Sequence, residues 1–326
     1  MIYEYAVDPE LVTAWAMGKD IGLAPQFGLD HRRVVADFPS NWDGVATGVL
    51  LETFKWDCGD PNYIDAQNRL DALLAFMRPK VSRGQQAQNG PWITQATSAH
   101  DEEPFHAILS RQAVYGREEV ITPDVVQDLH NPRWYLPTID VTTKTAEALA
   151  AQLAPLLRTS SRVILIDPYF KADRHGYSEV LGLLVRHAIS IRSVARPNPE
   201  ITVMSGVGDR DLHAAGIPVE DQLLRESQHR CGKAKELLGA RIPKGMSVKF
   251  CCIAQFDGGD QIHNRLLLTD VGGAVIPYGT QALGENVFDD ITPLFAGQHR
   301  TRWRQYGKGE GLTIVGEPVM IDGLLD

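Results

Sequence analysis

Between Arg162 and Asp270 the chain alternates short apolar runs with longer stretches of helical spacing, and that alternation restricts it to a layered arrangement of sheet and helices. "RVILIDPYF" (162–170) is apolar almost without a break and turns at Asp-Pro, the pattern of a strand covered on both faces. "SEVLGLLVRHAISIRS" (178–193) has helical period, and "EITVMSGVGD" (200–209) is a second strand ending in glycines. A long helix in "PVEDQLLRESQHRCGKAKELLGARIPKG" leads to strands in "MSVKFCCIAQF" and "IHNRLLLTD", and "GAVIPYG" and "GLTIVGEPVMI" complete the sheet. Upstream, "TTKTAEALAAQLAPLLR" reads as a helix with a threonine cap, kinked or ended by Pro155. Strands alternating with helices over ~180 residues predict an α/β fold with a mixed sheet.

The first 140 residues carry weaker signals. Segment 8–19 reads as a short helix, and "YIDAQNRLDALLAFMR" (63–78) as an amphipathic one with Ile64, Leu70, Leu73, Leu74 and Met77 on one side. "VSRGQQAQNGP" (81–91) is a polar loop, and "PFHAILS" and "REEVITPDVV" predict strands. A chain of 326 residues is long for one core. The expected division is an acidic α+β adaptor or specificity domain over 1–141 and the α/β domain over 142–326.

Charge narrows the functional classes. Residues 1–160 hold 13 Lys+Arg against 21 Asp+Glu, a net of −8; residues 161–326 hold 19 against 20, a net of −1. That balance argues against nonspecific coating of nucleic acid but allows a local basic surface in the second half. No signal peptide or membrane-spanning stretch is visible. Cys58, Cys231, Cys251 and Cys252 fit reduced thiols better than a disulfide framework. The expected setting is cytoplasmic.

"QIHNRLLLTDVGG" (261–273) carries the strongest chemical signal. Side chains alternate along a strand, so His263 and Arg265 share a face, and Asp270 stands where the apolar run meets the glycines. An imidazole, a fixed cation and a carboxylate at one strand end can hold a phosphate. The alternative is a structural histidine beside a surface arginine.

The spacing His263-x-Arg265-x4-Asp270, together with "VILIDPYF" upstream, resembles the phospholipase D-like superfamily, whose signature is His-x-Lys-x4-Asp. The likeness covers residues 143–320. It is nearest to single-motif members such as the carboxyl-terminal domains of MIT-domain proteins and bacterial relatives, which often show His-Asp-Arg where this chain has His263-Asn264-Arg265. The resemblance implies a mixed-sheet phospholipase D-like domain and a metal-independent phosphodiesterase, with a nuclease favoured. His263 would be the nucleophile, Arg265 the phosphate clamp and Asp270 the supporting carboxylate. A neutral imidazole can attack phosphorus near pH 7, and a guanidinium matches phosphate oxygens bidentately. Where catalytic relatives show Gly-Ser-x-Asn, this chain offers Gly279, Thr280 and Gln281. The alternative within the family is a non-catalytic binding or scaffold module of a larger assembly, a bacterial defence system among the possibilities.

Other candidates have two readings each. Asp167 either lines a pocket at a strand's carboxyl end or makes the turn before Pro168. "HRTRWRQYGKG" (299–309) interleaves Arg300, Arg302 and Arg304 with Trp303 and Tyr306, as single-strand binding does, or forms a strand with its arginines exposed on one face. The long basic helix near 225–249, Arg230 included, is either solvated or part of the same footprint. "HRRVVAD" (His31, Arg33, Asp37) is a poor second motif, one residue short between arginine and aspartate. No metal or cofactor is expected, because no zinc or Walker spacing occurs. The expected partners are a nucleic acid or other phosphodiester, a second copy of the chain through the His263 region, and proteins docking on the amino-terminal domain, with no membrane.

Overall fold

The computed structural model describes residues 2–19, 21–77, 80–83, 85, 89–127, 131–137, 139–190, 197–208, 217–254 and 265–326. It divides into two compact units, one built on Ile2–Pro137 and one on Thr138–Ser190 with Arg196–Asp326.

The amino-terminal unit contains β1 (Tyr3–Val7), α1 (Pro9–Ala16), β2 (Arg33–Asp37), α2 (Trp42–Thr53), α3 (Pro61–Phe76), β3 (Lys80–Ser82), α4 (Trp92–Glu102), β4 (Ala107–Leu109) and β5 (Val120–Ile121). Its strands lie in the order β3-β2-β1-β4-β5 and every pair is parallel. Parallel neighbours need crossovers, which the helices supply except between β4 and β5, joined by the irregular segment 110–119. The unit is therefore layered α/β, where the sequence had suggested α+β. Alternate residues of each strand feed two cores. Tyr5, Val7, Val35 and Leu109 pack with α1, α2 and α3, while Ala6, Ala36 and Ile108 pack with Phe38, Phe105 and α4. Asp8 caps α1 by accepting from the Glu10 amide at 2.9 Å. In α3 Leu70 and Leu74 are buried as expected, but Ile64 faces outward and Tyr63 and Ala66 take the inner positions.

The carboxyl-terminal unit contains β6 (Asp140–Lys144), α5 (Ala146–Thr159), β7 (Arg162–Ile166), α6 (Tyr177–Ile189), β8 (Glu200–Val207), α7 (Val219–Leu237), β9 (Ser247–Ala254), β10 (Leu266–Thr269), β11 (Gly273–Val275), β12 (Gly284–Pro293), α8 (Ala296–Arg302) and β13 (Ile314–Asp322). One sheet runs β13-β9-β8-β7-β10-β11-β12-β6. It is mixed: β7, β8 and β9 are parallel, and the remaining pairs are antiparallel. The α/β reading of the sequence holds here, although the strand β12 was not expected and the helix after β6 differs at its start and end. Thr142 and Thr143 lie in β6 instead of opening the helix, because β-branched residues suit a pleated surface. The threonine cap is Thr145, whose hydroxyl accepts from the Ala148 amide at 3.2 Å, and the helix runs through Pro155 to Thr159. Leu266, Leu267 and Leu268 are all buried, so β10 is covered on both faces. Each such side chain contributes roughly 1.5–3 kcal/mol. Among the described residues no helix is long and apolar enough to cross a membrane.

His106 makes the amino-terminal unit acid-sensitive. Its ring centroid lies 4.4 Å from that of Tyr3 and 5.4 Å from that of Tyr5, and its Nε2 is shut from solvent with no hydrogen bond of good geometry among the described residues. Burial, helped by Arg133, pulls its pKa down to about 4 from 6.5. The unfolded chain then binds more protons than the fold between those values. Stability is full above pH 6.5 and falls as pH drops towards 4, by about 3 kcal/mol at most. Five of the six tryptophans lie between residues 15 and 134, so urea melts followed by tryptophan fluorescence report on this unit. We predict that His106→Phe gains about 3 kcal/mol on the wild type between pH 7 and pH 4. A gap that stays constant over that range would disprove the assignment.

Candidate functional site

β10 runs antiparallel to both its neighbours, with Leu266 opposite Ile166 of β7 and Val275 of β11. Arg265, the residue before β10, therefore lies beside the carboxyl ends of both strands, and its carbonyl accepts from the Ile276 amide at 2.9 Å. In open α/β sheets that is the edge where ligands bind.

Asp167 follows β7 and is wholly buried. Its Oδ1 accepts from the Tyr169 amide at 3.0 Å, which makes the turn that Asp-Pro predicts. Its Oδ2 accepts from the Thr280 amide at 2.9 Å and the Thr280 hydroxyl at 3.0 Å. Arg265 Nε is 3.9 Å from Asp167 Oδ1, and the guanidinium lies over the Tyr169 ring, 4.7 Å from its centroid. The turn reading of Asp167 holds, and its carboxylate, wholly buried, lies beneath Arg265 rather than lining an open pocket. The same aspartate pushes up the Tyr177 hydroxyl, although burial is the larger cause of its pKa of about 12.

Sequence reasoning missed the support beneath. Lys144, at the end of β6, is fully buried and 3.2 Å from Asp289 of β12, itself buried. Burial lowers the Lys144 pKa, with Asp289 and then Asp167 opposing. The pair grips the segment Pro277–Thr280. The Pro277 carbonyl accepts from Arg265 Nη1, the Tyr278 amide donates to both Asp289 oxygens at 3.3 Å, and the Gly279 carbonyl accepts from Lys144 Nζ. Gly279 has φ +73°, and a Cβ there would stand 2.6 Å from Arg265 Cδ and Asp167 Oδ2. Only glycine fits. A lysine inside "DVTTKT" gives no warning, because its partner is more than a hundred residues away.

The other expected residues lie elsewhere. His263 is outside the described residues. Asp270 stands at the far end of β10, bonded to the Ser161 amide at 2.9 Å, the Ser161 hydroxyl and the Arg162 amide at 3.2 Å. Four strand residues intervene, and at ~3.3 Å each they carry the carboxylate across the sheet from Arg265. Asp270 ties β7 to β10 and is not beside the clamp. Gln281 donates from Nε2 to the His175 carbonyl at 3.0 Å.

The run 299–309 is helical, not a strand: α8 continues into a wide turn, Trp303–Gly307. A two-residue step on a helix turns by about 200°, so Arg302 faces away from Arg300 and Arg304, which lie one turn apart. Arg302 bonds the Gln305 side chain at 2.9 Å. Trp303 packs against the sheet core and takes Arg162 over its ring at 5.2 Å, and Tyr306 is buried. Tyr306 is thus closed to a base, and the half-buried Trp303 ring is faced by Arg162 and His299. Arg230 of α7 turns inward, bonded to the Ser205 hydroxyl at 2.7 Å and to Glu226. In the other unit Arg33 is buried with its guanidinium 4.2 Å from the Trp134 ring centroid, and Asp37 accepts from the Trp42 amide at 2.9 Å, both structural roles. Among the described residues no group of three His, Cys, Asp or Glu is placed to hold a metal ion.

No family model matches the chain, and no curated protein matches it. Among solved structures, one similarity is to TrmBL2, an archaeal chromatin protein described as showing a novel mode of DNA binding. It covers 82% of this chain and 81% of that one at 10% identity, with a TM-score of 0.25. A likeness that low carries no argument about fold or function.

The buried pair offers a stability test. Removing one partner strands a charge in the interior, so Asp289→Ala should destabilise the carboxyl-terminal unit by about 3–5 kcal/mol. Replacing both, Lys144→Met with Asp289→Leu, should recover most of that loss in urea melts. A double variant no more stable than the single one would show that the grip on 277–280, rather than the stranded charge, sets the loss.

Proposed function

We propose that the carboxyl-terminal unit is a phospholipase D-like domain that binds a phosphodiester and hydrolyses it without a metal ion, nucleic acid being the preferred substrate. The observation that carries this reading is Arg265, held at the carboxyl edge of a mixed sheet by Asp167, Tyr169 and Pro277. A guanidinium fixed in orientation meets phosphate oxygens with little ordering left to do. His263, two residues earlier, is the proposed nucleophile, and phosphohistidine is the proposed intermediate. Transfer to histidine also needs a proton donor for the leaving oxygen. A twofold homodimer would supply it by placing His263 of each copy across one cleft. The free thiols of Cys58, Cys231, Cys251 and Cys252 suit the cytoplasmic setting we assign. We assign the amino-terminal unit a part in specificity or partner binding.

One observation favours a second reading, a binding or scaffold module without turnover. Asp270 is occupied by Ser161 and Arg162 at the other end of β10, so the motif's carboxylate is absent from the Arg265 edge.

Hydrolysis of a bis(p-nitrophenyl) phosphate diester and of single-stranded DNA separates the two. If His263 attacks, turnover persists in EDTA and falls by at least 10³-fold in His263→Ala, since about that factor or more attends loss of a nucleophile. Activity lost in EDTA and restored by magnesium would disprove the mechanism. No hydrolysis by the wild type, with phosphate binding intact, would leave the binding module.

A further inference from the structure

Two Pro-Tyr steps leave the sheet on either side of Arg265. Pro168-Tyr169 follows β7, Pro277-Tyr278 follows β11, and β10 lies between those strands. Both neighbours are antiparallel to β10, so both steps emerge at the edge where Arg265 sits. Strands are about 4.8 Å apart, which puts the two exits about 10 Å from each other with the guanidinium midway.

Both backbones are pinned and both rings are open to solvent. Tyr169 is fixed through its amide to Asp167, and the next residue, Phe170, is buried with its carbonyl bonded to the Ser205 hydroxyl at 2.8 Å. Tyr278 is fixed through its amide to Asp289, and the carbonyls before and after it are taken by Arg265 and Lys144. Yet the rings are 37% and 65% exposed. One exposed aromatic is ordinary. Two on rigid supports, bracketing one cation at a ligand-binding edge, form a pattern.

We propose that Tyr169 and Tyr278 are stacking platforms for the bases on either side of the phosphate held by Arg265, so that the site takes single-stranded nucleic acid rather than a lipid headgroup. The inference rests on the phosphate-clamp reading of Arg265. Every base presents a π-face to a ring, whereas a glycerophosphate has none. A duplex keeps its bases stacked on each other, so the strand has to be single. Tyr169 carries the guanidinium on one face, and a base adjoining the phosphate extends that stack.

The test compares binding of a thymidine octamer with that of an abasic octamer of the same length, beside phosphatidylglycerol vesicles, each at fixed salt. The wild type is expected to prefer the thymidine strand by tenfold or more. Tyr169→Leu and Tyr278→Leu should each bring the ratio towards one, by about tenfold per ring. Tyr169→Phe and Tyr278→Phe should keep it, which a loss of folding or of a hydroxyl contact would not reproduce. A wild-type ratio near one, leucine variants that keep the preference, or tighter binding of vesicles than of either strand would each overturn the proposal. Arg265→Ala isolates the underlying reading. If it binds both octamers as tightly as the wild type, the phosphate clamp fails and the base platforms fail with it. A ratio near one with Arg265→Ala binding weakened refutes the platforms alone.

Discussion

Everything at the Arg265 edge hangs on one buried carboxylate. A carboxylate out of water must be satisfied by donors, or the fold loses several kcal/mol to desolvation. Asp167 meets that demand with amides from its own turn and from Thr280, more than a hundred residues on, and with a guanidinium at 3.9 Å. Satisfying it joins three separate stretches of chain: the exit of β7, the entry of β10 and the segment after β11. The geometry of the Arg265 edge and the folding energy therefore make the same demand at this point.

A second layer of charge lies below the first. Lys144 and Asp289 are both fully enclosed, and each also holds the backbone of 277–280. A neutral pair of similar size could fill the space as stably, since desolvation offsets much of a buried ion pair's attraction. What hydrocarbon could not do is grip a carbonyl and an amide in fixed directions. The pair's contribution is orientation, passed to Arg265 through Pro277 and to Asp167 through Thr280.

The sequence disclosed what short-range patterns encode. The continuous apolar runs of β7, β8, β9 and β10 and the long helices between them were legible, because burial on both faces leaves no polar alternation to confuse. In the amino-terminal unit β4 and β5 were legible in "PFHAILS" and "REEVITPDVV", but β1, β2 and β3 were not. β1 and β2 are five residues long, and their alternation of large and small residues, Tyr5-Ala6-Val7 and Val35-Ala36, divides between two cores rather than between core and solvent. At the Arg265 edge, the motif and the strand ends pointed to Arg265, Asp167 and Thr280, which the fold brings together. Asp270 was misplaced because spacing along a chain was taken as proximity, and a strand turns spacing into distance. The arginines and aromatics near 300 alternate as in a strand, but Trp303 and Tyr306 are hydrophobic anchors of a helical turn. Lys144 was invisible because nothing nearby in sequence announces Asp289.

The partnership of β6 with β12 also fixes an order of events at the ribosome. β6 is the first strand of its unit to emerge, and it ends the sheet's order with β12 as its neighbour. Asp289 is made about 145 residues after Lys144, which at 5–20 residues per second is roughly 7–29 s. Until then Lys144 lacks the carboxylate that pairs with it in the fold. The Arg265 edge becomes complete only when the far border of the sheet closes.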